Sequence, residues 1–422
     1  MAKMKFHVKA IVVKGRKKVL YAEVENKLVD VLLSFLTLPL GTIVRLLVKY
    51  YESREAPIIG SLNSLYRGLE TMNIGRFFRV EDVKMMLLQP RNPFELEIDK
   101  LHARKCIIGK YFDSSCGLLM NKKVAPMEDL YNQLLELHYC QPLMSQGESV
   151  STKSLSSFIL GDDLQILPND PQSRSQILRQ HQVEDKDMLE EMSFFWGFQQ
   201  IMALLEGSLL SKTPLSNIIF RTPWQMRNDV SPVVKSKQNS LMGKTSWRVT
   251  LKVYVQSSTK RVVFIESSGD FVEILFGFLA FSLGTAHRLC NGDCGLGSIG
   301  NLYHSASRLD MKLLAKKGLI YRFLSKMKLP YAYESASLKN FQVKDPKEGE
   351  NFLKTPILVM EDLEVSTTPA SAALSTMNRL KISVWDIQRQ ELEIGVEEVS
   401  CLLKAALHSK CALTDGLQRF LK

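Results

Sequence analysis

The chain repeats itself, and that limits what it can fold into. Displaced by 243 positions, residues 5–46 lie over 248–289 without a gap, and 14 of the 42 aligned positions are identical. Average residue usage would give agreement at about one position in sixteen. The identities include Val19/Val262, Glu23/Glu266, Val29/Val272, Leu32/Leu275, Phe35/Phe278, Leu36/Leu279 and Arg45/Arg288, with the triplet Leu40-Gly41-Thr42 over Leu283-Gly284-Thr285. After a loop six residues shorter in the second copy, Gly60-Ser61 and Leu65-Tyr66 meet Gly297-Ser298 and Leu302-Tyr303. Near the ends, FILGDDL at 158–164 lies over ILVMEDL at 357–363, and LLSK at 209–212 over LHSK at 407–410. Two like lobes are expected: residues 1–220, with an insertion at about 95–150, and residues 245–422. Between them, 221–244 has linker composition, polar with two prolines and a charge of +4.

Each copy opens on a period-2 run. Phe6, Val8, Ala10 and Val12 share one face in the first copy; Val249, Leu251, Val253 and Val255 do so in the second. A polar turn leads to a second β-rich run at 19–24 or 262–265, so a hairpin is predicted. The period then becomes helical through Leu28, Val29, Leu32, Phe35 and Leu36, and through Phe271, Val272, Leu275, Phe278 and Leu279. Asn26 and Gly269 suit N-caps. Gly41 and Gly284 suit a left-handed helix stop, with Thr42 and Thr285 capping the next helix. A later strand is expected at 158–167 and 357–365. It precedes a long helical segment that in the first copy carries Leu189, Met192, Phe195, Ile201, Met202 and Leu205. The class is α+β, in two homologous lobes, each a β-hairpin followed by helices, a later strand and a C-terminal helical segment.

The composition excludes several classes. Apolar residues are 45% and charged residues 23%, with mean hydropathy −0.05, so the chain is neither collagen-like nor low in core-forming residues. The most apolar stretch, 31–44, is 14 residues broken by Pro39 and Gly41, and a membrane span needs about 18–20. The N-terminus lacks the apolar region of a signal peptide. Seven cysteines in 422 residues are sparse and odd in number, which suggests reduced thiols and an intracellular protein, cytoplasmic or nuclear.

The segments KVLYAEVENKLVDVLLSFLTLPLGTIVRLL, GSLNSLY, GDDLQILP and LLSKTPL resemble the plant family known as domain of unknown function 674, over nearly the whole chain. The resemblance implies an intracellular plant protein with tandem copies and no established activity, and supplies no catalytic residue. It also implies a cysteine-rich stretch in the first copy, where two pairs of thiolates would hold zinc tetrahedrally. Here Ser114 stands where one of those cysteines would be, leaving Cys106 and Cys116. A four-thiolate site is therefore absent. A mixed site using His102 or His138 with Cys140 has irregular spacing.

The remaining chemical signals are isolated. Gly295, Gly297 and Gly300 match G-x-G-x-x-G, but the run follows a helical stretch instead of a strand, and the first copy offers Ile58, Gly60 and Asn63. A loop ending in a helix cap fits better than a dinucleotide site. Cys290 and Cys294 have C-x₃-C spacing, with His287 and His304 the nearest further ligands; an incidental thiol pair is favoured over metal. Asp162-Asp163 recurs as Glu361-Asp362, and alternation along a strand would point the paired carboxylates apart, so a turn with solvated carboxylates is expected. Lys312, Lys316, Lys317, Arg322, Lys326 and Lys328 make a basic amphipathic stretch, usually a solvated helix face and otherwise a nucleic-acid or anionic surface.

What recurs is mainly apolar, and chemically distinctive positions differ between copies. A non-enzymatic interaction or regulatory protein without cofactor is the leading expectation, its partners other proteins. Nucleic-acid or anion binding, motivated by the net charge of +11, comes second. An enzyme with its site between the lobes comes third.

Overall fold

The computed structural model describes residues 5–51, 56–72, 84, 87–90, 157–183, 188–223, 248–309, 357–366 and 369–421. It is an α+β molecule with two five-stranded antiparallel sheets. The first is ordered β4-β3-β2-β1-β5, from β1 (Phe6–Val13), β2 (Val19–Glu25), β3 (Ser157–Gly161), β4 (Ile166–Pro168) and β5 (Leu189–Trp196). The second is ordered β10-β6-β7-β8-β9, from β6 (Val249–Gln256), β7 (Val262–Ser267), β8 (Ile357–Met360), β9 (Val365–Ser366) and β10 (Ile387–Ile394). Strands β6 to β10 thus take the places of β1 to β5. A β-bulge interrupts the first hairpin at Ile11/Val12 and the other at Tyr254/Val255, positions 243 apart.

The helices follow the same order in each half. In the N-terminal half they are α1 (Asn26–Phe35), α2 (Leu40–Tyr50), α3 (Leu62–Thr71), α4 (Pro171–Gln180), α5 (Phe198–Leu210) and α6 (Pro214–Phe220). The C-terminal half has α7 (Gly269–Ala280), α8 (Leu283–Leu289), α9 (Ile299–Arg308), α10 (Pro369–Leu380), α11 (Val396–His408) and α12 (Ala412–Leu417). Alternation puts Phe6, Val8, Ala10 and Val12, and likewise Leu251, Val253 and Val255, on inner sheet faces that are buried in one continuous apolar core with α1–α3 and α7–α9. The outer faces carry smaller clusters. Leu20, Tyr21 and Ile159 pack with Ile177 of α4, and Val263, Phe264 and Leu358 with Met377 of α10.

The halves are joined by contacts that occur twice. The Leu40 amide donates to the Phe281 carbonyl and the Leu283 amide to the Leu38 carbonyl, both at 2.9 Å. Pro39 and Ser282, themselves 243 apart, form the bridge between these bonds. The third helix of each half reaches the opposite one: α3 packs on α7 and β9, and α9 on β4 and α1. Ser61 Oγ donates to the Ser409 carbonyl at 2.6 Å, and Ser298 Oγ to the Ser211 carbonyl at 2.7 Å.

Several sequence expectations are corrected. Gly41 and Gly284 do not end helices with φ > 0; they lie in the first turns of α2 and α8. A Cβ on Gly41 would stand 3.2 Å from Leu279 Cβ and carbonyl oxygen, and one on Gly284 3.0 Å from the Leu36 carbonyl oxygen. They are glycine because a helix start presses on the end of the opposite half's first helix. The N-caps are Glu25 and Ser268, one residue before Asn26 and Gly269. Helix α8 is capped by Ser282, whose hydroxyl accepts from the Thr285 amide, and Thr42 and Thr285 lie inside their helices. Segments 158–167 and 357–365 are each two short strands around a turn. Leu189, Met192 and Phe195 belong to a strand, because β1 offers a free edge to pair along its whole length; the helix starts only at Phe198.

Candidate functional site

The recurring acid pairs sit in the β3–β4 and β8–β9 turns. Each turn closes on a leucine in the left-handed region, Leu164 (φ 63) and Leu363 (φ 65). A Cβ-bearing residue there costs roughly 1 kcal/mol, offset by complete burial of both side chains. The second acid of each pair shapes the turn: Asp163 Oδ1 accepts from the Gln165 amide at 3.1 Å and Asp362 Oδ1 from the Glu364 amide at 3.2 Å.

The two carboxylates of each pair then serve different halves of the molecule. Asp162 is buried and accepts from the Ser216 amide at 2.8 Å and its hydroxyl at 2.7 Å; that hydroxyl in turn accepts from the Val19 amide. In the other half Glu361 accepts from the Thr414 hydroxyl, which accepts from the Val262 amide, and Arg261 pairs with the same carboxylate. Asp163 and Asp362 instead reach across. Asn301 of α9 donates to Asp163 Oδ2 at 2.9 Å, and Ser64 of α3 to Asp362 Oδ2 at 2.8 Å. The expectation of solvated carboxylates fails for Asp162 and Glu361, which the last helix of each half covers. Burial pushes the Asp162 carboxyl up to about 6 against the opposing Ser216 hydrogen bonds.

The Ser64–Asp362 contact has a measurable worth. In a double-mutant cycle Ser64→Ala and Asp362→Ala are expected to couple by about 1 kcal/mol of unfolding free energy. Strict additivity would show that the contact contributes nothing to holding α3 against the C-terminal half.

Beside this contact a cleft of about 360 Å³ opens between the halves. Ile58, Gly60 and Ser64 form one wall; Arg261, Glu361, Asp362, Thr376, Arg379, Leu380, Lys410 and Cys411 form the rest. Arg261 approaches Cys411 Sγ at 3.6 Å, and burial raises the Cys411 thiol above its usual range. None of Arg261, Arg379, Lys410 or Cys411 carries a local motif. The only sequence signal is that Arg261 lies over Lys18 and Lys410 over Lys212 in the repeat.

Cys290 caps the end of α8, Cys294 follows four residues later, and both are buried. His287 Nδ1 is 3.2 Å from Cys294 Sγ, while its Nε2 is buried with no hydrogen-bond partner among the described residues. Burial lowers His287 to about 4 and raises Cys294 to about 11, so the pair rests as neutral imidazole and thiol. Among the described residues no three His, Cys, Asp or Glu side chains converge as metal ligands. Gly297 passes the end of α5, its amide donating to the Leu209 carbonyl at 2.8 Å, where a Cβ would collide with Ser208 and Ser211. The glycine run thus lets a loop cross a helix end before α9 begins. Cys106, Cys116, His102, His138 and Cys140, and the basic residues Lys312, Lys316, Lys317, Arg322, Lys326 and Lys328, lie outside the described residues. No helix among the described residues is long and apolar enough to cross a membrane.

These features define a two-lobed α+β protein whose halves exchange their third helices. Residues 2–356 match the family described as a protein of unknown function (DUF674), and the chain belongs to that family. No curated protein and no solved structure matches it.

Proposed function

We propose that the chain is a non-enzymatic intracellular interaction protein, built from two copies of one unit, that acts by binding another protein. One observation carries this reading: Trp385 is 96% exposed, beside Val384 at 66%, on a turn that is fastened in place. Asp386, the next residue, accepts from the Ser258 hydroxyl at 2.6 Å, the Ser258 amide at 3.0 Å and the Gln256 side chain at 2.8 Å, and its carbonyl accepts from the Ser257 amide. Burying a tryptophan removes roughly 150–250 Å² from water, worth about 4–6 kcal/mol before association costs. Tryptophan is enriched among residues that dominate binding energy, and a side chain held on a fixed turn loses less freedom when bound. The free thiols Cys290, Cys294, Cys401 and Cys411 support a reducing compartment.

The test compares proteins retained by the full chain and by Trp385→Ala, with and without nuclease. A specific partner is expected to be lost from the variant while its unfolding midpoint is unchanged, because the side chain touches little of the fold. Retention that ignores Trp385 but vanishes with nuclease and moderate salt would favour nucleic-acid binding instead.

A further inference from the structure

We propose that the cleft between the halves binds a small phosphate monoester, gripped by Arg379 and Lys410. The cleft's two carboxylates are already engaged: Glu361 by Arg261 and the Thr414 hydroxyl, Asp362 by the Ser64 hydroxyl and the Glu364 amide. Arg379 and Lys410 line the same cleft and form no ion pair among the described residues. Arg261, Arg379 and Lys410 against Glu361 and Asp362 leave the described lining one positive charge in excess, and the two cations without a carboxylate partner there favour an anion with several acceptor oxygens. A phosphate monoester carries close to two negative charges at neutral pH and offers three acceptor oxygens. The guanidinium fork takes two of them at once and the ammonium takes the third as a point charge.

The walls suit the organic part of such a molecule. Ile58 is 41% exposed, and Leu380 faces the same space. A volume of about 360 Å³ lies in the small-ligand range and is far too small for a folded partner. The other half of the molecule lacks the grip. Gln182 and Lys381 are matching left-handed residues after α4 and α10, and counting back from them puts neutral Gln180 where Arg379 stands. Lys212 matches Lys410, so that half is one cation short. One site per chain is expected. The inference is independent of the Trp385 surface.

Isothermal titration of the full chain with glycerol 2-phosphate at pH 7.5 and constant ionic strength tests it. One saturable site with Kd below about 1 mM is expected. It should weaken at least about tenfold in Arg379→Gln/Lys410→Gln, which removes two of the site's charges, and stay unchanged in Trp385→Ala. Arg379 and Lys410 are exposed, so the double variant should keep the parent's unfolding midpoint. Absence of saturable heat at about 10 mM ligand, or equal affinity in the double variant, would overturn the site. Succinate binding as tightly as the monoester would overturn the choice of phosphate. A phosphoserine pentapeptide binding more tightly than the monoester would overturn the small-molecule assignment.

Discussion

Gly41→Val and Gly284→Val are each expected to destabilise the full chain by about 2–3 kcal/mol, and Gly→Asn at either position to be as damaging. Both glycines occupy ordinary helical conformation, so the conformational tolerance of asparagine gives it no advantage. The obstacle is space: any Cβ at Gly284 meets the Leu36 carbonyl oxygen at 3.0 Å, and that same carbonyl accepts the Gly284 amide at 2.8 Å. Relieving the clash would lengthen this bond and separate α8 from α1. At Gly41 the neighbours are the Cβ and carbonyl oxygen of Leu279, backbone and near-backbone atoms that cannot swing away. Urea unfolding of the intact chain reads the effect as a lower midpoint at constant slope. An asparagine variant close to wild type would restore the helix-stop reading and remove the packing one.

The second large effect is in the pH dependence of stability, where two buried groups oppose each other. His287 is 1% exposed and its folded pKa of about 4 lies below its ordinary 6.5. The folded state therefore resists a proton that the unfolded chain accepts. Its contribution is complete above pH 6.5 and is lost as pH falls toward 4, by roughly 3 kcal/mol in all. Asp162 runs the other way, from 3.8 unfolded to about 6 folded. Its contribution is complete below pH 3.8 and is lost as pH rises toward 6, again by roughly 3 kcal/mol. Between pH 6 and 4 the two nearly cancel in the wild type. His287→Gln should then gain stability relative to wild type on acidification through this window, and Asp162→Asn should lose it. The readout is the change in the variant-minus-wild-type difference with pH, so it does not depend on how much either substitution costs at pH 7. Parallel pH profiles for wild type and His287→Gln would show that His287 does not titrate abnormally.

The family was legible because long motifs such as the segment through Leu40-Gly41-Thr42 survive as contiguous sequence. The hairpins were legible because period-2 burial is a local property: Phe6, Val8, Ala10 and Val12 must share a face whatever the rest of the chain does. The strand at Leu189–Trp196 was not legible as a strand. Leu189, Met192 and Phe195 fall at helical spacing, and only pairing with β1 along its whole length selects the extended form. The candidate site was less legible still. Arg379 comes from α10, Lys410 from the loop between α11 and α12, and Ile58 from a loop more than three hundred residues earlier, and no spacing rule joins them.

By itself, then, the sequence determined the α+β class and the apolar faces its elements would bury, because each follows from periodicity within about ten residues, and it showed two matching sets of elements through the 243-position self-similarity. Only the tertiary structure decided how the two sets meet. The same glycine-threonine pattern serves a helix stop or a close helix contact equally well, and which one it is depends on Leu279 and Leu36 of the opposite half. The exchange of α3 and α9 is likewise set by surfaces that exist only once both sheets have formed. It places Ser64 on Asp362 and Asn301 on Asp163, turning acid pairs that read locally as solvated turns into the fastenings between the halves.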